Sequence, residues 1–168
     1  MEKLKDIDYR ILFELMRNSK ISDRQLARKI GVSQPTVTRR RARLEKEVID
    51  DYTAIPKWGK LGYEILAITF VNTKSAVATK EMYDSVRKRA QKWLDNQSNV
   101  ILATACRGMG VDSFMISIHR TYADYDDFLR LHRLDMGDLV ENVESVIVNL
   151  AGKEVVRPLS FKYLAQAE

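Results

Sequence analysis

Between Ser33 and Lys46 the chain sets hydroxyls, an amide and cations at helical spacing: Ser33-Gln34-Pro35-Thr36-Val37-Thr38-Arg39-Arg40-Arg41-Ala42-Arg43. No nucleophile stands beside a base here, and no glycine-rich phosphate loop or metal-ligand spacing accompanies the run. Its chemistry is recognition. Guanidinium forks suit phosphates and guanine edges, hydroxyls and amides suit bases and backbone oxygens, and methyl groups suit thymine. On a helical wheel centred on Val37, the opposite side carries Pro35, Thr38, Arg39, Ala42 and Lys46, flanked by Thr36 and Arg43. No bulky apolar residue would block groove entry there. Pro35, Thr36, Thr38 and Arg39 are the expected base readers, because the N-terminal part of such a helix enters deepest. Gln34, nearer the flank, is a secondary one. Ser33, Arg40, Arg43 and Lys46 are the expected phosphate contacts, which give affinity and register. Arg41 is the arginine expected only to solvate the helix.

The elements that position this run are legible just upstream. Ser22 and Gln25 form a capping box that starts a helix, Leu26, Ala27 and Ile30 give it one apolar face, and Gly31 stops it. Ser33 caps a second helix, with Pro35 in its first turn, where a missing N–H costs nothing. Small Ala27, bending Gly31 and apolar Val37 meet the steric needs of a helix-turn-helix. The plainer reading, a helical hairpin with a solvated basic face, accounts for less of the pattern. Leu4, Ile7, Ile11, Leu12 and Leu15 make an amphipathic helix ahead of the motif, and Ile49 to Ile55 reads as a short wing strand after it. Pro56, Gly59 and Gly62 mark a linker, so the expected domains are 1–60 and 61–168.

Charge follows this division. The chain of 168 residues carries a formal +5, with net +6 in residues 1–60 and net −1 in 61–168. A polyanion partner for the N-terminal part alone explains the asymmetry. The one cysteine, Cys106, excludes an internal disulfide framework and a cysteine-based zinc site. No apolar run approaches the ~20 residues that span a bilayer, and Met1-Glu2-Lys3 is no signal peptide, so a soluble cytoplasmic protein is expected. His119 and His132 lack partners at ligand spacing and read as structural. Neither catalytic residues, nor a metal, nor a cofactor is expected.

The second half changes period. Strands are expected over Ile65–Val71, Val100–Cys106, Ser113–His119 and Val143–Leu150, with helices over Ser75–Asn96 and Ala123–Met136. The order β-α-β-β-α-β is that of a ferredoxin-like split unit, making the chain α+β. Its strands are apolar on both faces, whereas two helices can cover only one, so a second copy of the chain is the expected cover for the other. The hairpin Arg107-Gly108-Met109-Gly110-Val111 is followed by Asp112. Gly108 and Gly110 allow close backbone approach and Asp112 could receive an ammonium group; the alternative is a plain turn with a solvated aspartate.

With these residues in view, the chain resembles the Lrp/AsnC (feast/famine) family of transcription regulators. The resemblance rests on Leu4-Lys5-Asp6-Ile7-Asp8 with Ile11-Leu12, Ile21-Ser22, Gly31-Val32-Ser33-Gln34-Pro35-Thr36-Val37, Arg39-Arg40, Arg43-Leu44-Glu45, Ile49 and Tyr52-Thr53-Ala54. It extends as a pattern over the βαββαβ half. It implies a homodimer, often built into tetramers or octamers, that binds double-stranded promoter DNA and responds to an amino acid held between sensing domains. By that resemblance Gly108, Gly110 and Asp112 are the expected effector residues. The chain departs from the pattern at Lys5, where an acidic cap is usual and Asp6 is expected to take over, and at Arg41, usually apolar. It departs again at Gly108-Met109-Gly110-Val111-Asp112, usually Gly-x-x-Asp, and in its long second-half helix. Two rivals are an architectural DNA-binding protein that senses nothing, and a siroheme-decarboxylase-like enzyme, whose His- and Tyr-containing strand motifs are absent here.

Overall fold

The computed structural model describes residues 3–74, 79–152 and 155–165. The chain folds as two units, Met1–Ile55 with Arg157–Glu168, and Pro56–Val156. The last twelve residues thus join the first unit, where the sequence suggested they belong to the second.

In the first unit, α1 (Asp6–Arg17), α2 (Asp23–Ile30) and α3 (Gln34–Glu47) bury one shared core. Ile11, Leu26, Val37 and Leu44 have no exposure at all, and Leu15, Ala27 and Ile30 are nearly as buried. Lys5, not Asp6, is the N-cap of α1, and no side chain caps it. Asp8 supplies the return half of a capping box instead, accepting the Lys5 amide at 2.8 Å. Glu14, also buried, ties α1 to α2 through Lys29. The expected wing is a correction: residues 49–57 form no strand. Among the described residues this segment has no ladder partner, and some of its polar groups bond side chains. The Tyr52 hydroxyl donates to Glu45 Oε1 at 3.0 Å.

The C-terminal segment packs on α1 through the short 3-10 turn Phe161–Tyr163. Ala165 is buried, and its carbonyl accepts a hydrogen bond from Arg17 Nη2 at 2.7 Å. Nothing in the composition of residues 157–165 marks such a docking, in which the one hydrogen bond to Arg17 spans 148 positions of sequence.

The second unit is β1 (Ile65–Thr73), α4 (Lys80–Leu94), β2 (Val100–Gly108), β3 (Val111–His119), α5 (Tyr122–Met136) and β4 (Val140–Asn149). The expected start of α4 at Ser75 lies outside the described residues; within them Thr79 caps the helix by accepting Met82 N–H at 3.2 Å. The strand order is β2-β3-β1-β4, with every neighbouring pair antiparallel, the arrangement expected of a split βαββαβ unit. Register puts Ala67, Thr69 and Val71 opposite Ser117, Met115 and Ser113. This face packs on Trp93 of α4 and on Tyr125, Phe128 and Met136 of α5. The other face carries Leu66, Ile68, Phe70, Phe114 and Ile116 in the centre, and no element among the described residues of the unit covers it. Val146 there is 53% exposed and Leu102 46%.

Docking of the tail predicts a local effect of truncation. Removing residues 157–168 should destabilise the first unit by about 1–2 kcal/mol, an ordinary value for lost burial and one lost charged hydrogen bond. Hydrogen exchange followed by mass spectrometry should show α1 amides losing protection while β1 and β3 amides keep theirs.

Candidate nucleic-acid interface

The turn between α2 and α3 is built as its residues require. Ser22 Oγ accepts the Gln25 amide at 3.3 Å and Gln25 Oε1 accepts the Ser22 amide at 3.1 Å, completing the capping box. Gly31 ends α2 with φ +73°, a left-handed conformation that favours glycine. Ser33 Oγ accepts the Thr36 amide and shares a 2.8 Å hydrogen bond with the Thr36 hydroxyl. The core side of α3 is narrow: only Val37 and Leu44 are fully buried on it. The rest of the helix lies outside the apolar core.

The structure sorts the expected DNA-facing residues into two groups. Ser33, Gln34, Pro35, Thr38, Arg39 and Lys46 are exposed, and Thr36 is half-buried by its place in the cap. Thr38 donates its hydroxyl to Asp23 Oδ2 at 2.7 Å, so it presents its methyl group more readily than its oxygen. Arg40 and Arg43 turn towards α1. Arg40 Nη1 donates to Asp8 Oδ1 at 2.9 Å, and Arg43 Nη2 to Asp8 Oδ2 at 2.8 Å. They are half-buried counter-ions of a fully buried carboxylate as well as cations at the surface.

Arg41 corrects the sequence reading. Its guanidinium donates to the Ile21 carbonyl at 3.0 Å, to Asp23 Oδ1 at 3.2 Å and to Glu45 Oε1 at 2.8 Å, with Tyr52 beneath it. It locks the start of α2 onto α3 rather than solvating the helix. Asp8 and Asp23 organise four of these side chains; the sequence places Asp8 only near the positive end of the first helix and gives neither residue a partner on α3. Asp8 did leave a trace: it occupies the stripe Leu4, Asp8, Ile11, Leu15, where an apolar residue belongs.

In the second unit, the hairpin after β2 runs through positive φ at Gly108, Met109 and Gly110. Asp112 Oδ2 accepts both the amide and the hydroxyl of Thr73, each at 2.7 Å, and these bonds hold its pKa below the usual carboxylate value. Asp112 also stands on the wall of a cavity of about 1020 Å³ under α4, with Arg107, Ala105, Met115 and Trp93; Gly108 and Gly110 do not line it. His119 is buried and bonded to Ser117 and Asn99, and His132 packs edge-on against Trp93. Burial lowers both pKa values, as structural histidines require. Among the described residues no group of three His, Cys, Asp or Glu is placed to hold a metal, and no helix is long and apolar enough to cross a membrane.

A three-helix unit with a basic second motif helix, followed by a βαββαβ unit, defines a helix-turn-helix protein with an appended α+β domain. Residues 4–45 match the family model of the AsnC-type helix-turn-helix domain. The transcriptional regulator LrpC of Bacillus subtilis is 40% identical over 75 residues, 44% of this chain and 52% of that protein. In that match the chain spans about half the length of its relative. The regulator FL11 of Pyrococcus furiosus is 25% identical over 151 residues, 84% of each chain. The structure of a Neisseria meningitidis transcriptional regulator in complex with L-Met shares the fold, with a TM-score of 0.77 at 19% identity over 94% of this chain and 96% of that one. The first unit thus carries an AsnC-type helix-turn-helix domain, and the chain as a whole shares the fold of solved transcriptional regulators.

The Asp8 cluster gives a signed prediction. Burial alone would raise its carboxyl pKa, but the Lys5 amide and the Arg40 and Arg43 guanidinium groups together hold it below the usual value. Its contribution is therefore present above the unfolded pKa of about 3.9 and is lost as pH falls through the lower folded value. Asp8→Asn should cost about 3 kcal/mol near pH 7, the low end for breaking a buried pair, because both arginines can still reach water. Urea unfolding across pH should show the gap between wild type and variant closing below the ordinary carboxylate range.

Proposed function

We propose that the protein is a dimeric transcription regulator that reads the DNA major groove with α3 and whose assembly responds to a small amino-acid-like effector. The observation that carries the DNA part is the division of labour on α3. Val37 and Leu44 alone fix it to the core, Arg40, Arg41 and Arg43 brace it, and Pro35, Thr36, Thr38, Arg39 and Lys46 remain outward. Arg39 and Lys46 have no bonding partner among the described residues. The roles assigned are Pro35, Thr36, Thr38 and Arg39 to base edges and methyl groups, with Gln34 beside them. Ser33 and Lys46 go to phosphates, together with the outer edges of Arg40 and Arg43.

The uncovered sheet face supports the dimer. Leu66, Ile68, Phe70, Phe114 and Ile116 form a contiguous apolar surface that a second protomer would bury, and a two-fold dimer would then present paired α3 helices to a two-fold site. Asp112 supports the effector. Its Oδ2 is bound to Thr73, which leaves Oδ1 for an ammonium group, and the adjoining cavity offers space for a side chain. Gly108 and Gly110 shape the hairpin that brings it there. The related Neisseria regulator crystallised with L-Met is consistent with such a ligand.

Arg39→Ala should lower affinity for the cognate site by about 1–3 kcal/mol and relax selectivity at one position, read by binding-site selection on random duplexes. Intact specific binding would refute the placement of α3, and broad protection in a footprint would mark an architectural protein. Screening the standard amino acids by thermal shift should find one that raises the midpoint and changes the oligomer in sedimentation. Asp112→Ala should remove both effects; a flat screen would leave a ligand-independent regulator.

A further inference from the structure

Beside the outward face of α3, the first unit carries a cavity that joins α3 to the start of α1. Lys5, Arg39, Arg40 and Arg43 line one cavity of about 320 Å³, and no acidic residue among the described residues shares its lining. Four cations are gathered from two separate elements, the N-cap of α1 and one side of α3. Like charges this close repel, so a site of this composition stands only if a counter-charge holds it. Asp8 supplies counter-charge: it is fully buried, and its two oxygens accept the Lys5 amide, Arg40 Nη1 and Arg43 Nη2.

The hydrogen-bond accounting points the same way. Arg40 Nε–H is buried without a partner. Its Nη1 is committed to Asp8, so the unpaired donor lies on the opposite edge of the guanidinium, the edge that forms two parallel bonds with an oxyanion. The Lys5 ammonium and the Arg39 guanidinium have no carboxylate partner among the described residues. A buried unpaired donor together with two unpaired cations around one small cavity is the donor set of a tetrahedral oxyanion.

We propose that Lys5, Arg39, Arg40 and Arg43 form a seat for one phosphate group of the DNA backbone, with Asp8 as the buried group that holds Arg40 and Arg43 in position. The proposal rests on the DNA-binding reading and deepens it. It brings α1 into the contact through Lys5, and it gives Arg40 and Arg43 a phosphate role compatible with their ion pairs. Asp8 is a positioning residue, since it touches the arginines and not the ligand. A seat of this kind reads no sequence; it fixes where the backbone lies while the neighbouring Arg39 edge and the start of α3 meet the bases.

The test uses the full chain and fluorescence anisotropy on unrelated duplexes over a salt series, because phosphate contacts release counterions and set the slope of log K against log salt. Lys5 is exposed, so Lys5→Ala should fold normally. It should flatten the slope by about 0.9, equivalent to about eightfold weaker binding near 0.1 M salt and little change near 1 M, alike on every duplex. Lys5→Arg should restore the wild-type slope. An unchanged slope in Lys5→Ala, with wild-type DNA binding intact, would overturn the seat. If wild type binds no duplex, the DNA reading itself fails. If inorganic phosphate then raises the thermal midpoint of wild type but not of Lys5→Ala, the occupant is a free phosphate and the backbone assignment is wrong.

Discussion

A carboxylate with no access to water governs the first unit. Removing an ion of this size from solvent carries a penalty of several kcal/mol, and only well-aligned donors offset it. Asp8 finds them in the Lys5 amide, Arg40 and Arg43, and in doing so ties the start of α1 to the middle of α3. Glu14 makes a parallel link from α1 to α2 through Lys29. Such clamps suit a helix like α3, which has only two fully buried apolar residues to hold it. More apolar burial would stabilise α3 further, but it would consume the positions through which the helix meets DNA. The ionic clamp leaves those positions outward and keeps the arginine heads at defined angles.

Most of the architecture could be read from the sequence, for a physical reason. Helix caps, the stop at Gly31 and doubly apolar strands are local signals. The elements they announce appear with ends shifted by a few residues, as at β1, which runs on to Thr73, and β4, which starts at Val140. The misses are non-local. Nothing short-range in the sequence joins Asp8 to Arg43, thirty-five positions away, or Arg17 to Ala165. Arg41 was misjudged because a guanidinium at a solvent-facing helical position looks the same whether its partner is water or Asp23. The wing failed because extended character in Ile49 to Ile55 says nothing about whether a partner strand exists.

The candidate site was legible to a similar depth. The outward face of α3 follows from helical periodicity, so Pro35, Thr38, Arg39 and Lys46 are exposed as read. Lys5 was noticed only as a departure from an acidic pattern, since a cap position carries no hint of which cations will gather round it. Asp112 was read as open to a ligand, yet one of its oxygens serves as a brace between β3 and the end of β1. In both units a carboxylate does double duty, fixing the backbone with one set of bonds and shaping a cavity beside it.

The docking of Ala165 on α1 also bears on how the chain comes to be folded during synthesis. Helices α1 to α3 leave the ribosome first, and domains made first usually fold first. Here the unit they form includes residues 157–165, which are synthesised only after the whole of residues 56–156. At ordinary elongation speeds that interval is on the order of 5–20 s, long compared with the folding of a small helical domain. For that time the surface of α1 that receives the tail is uncovered, and Arg17 lacks the Ala165 carbonyl. The nascent helix-turn-helix therefore passes through an incomplete stage, and its final layer is laid down only after residues 157–165 have been made.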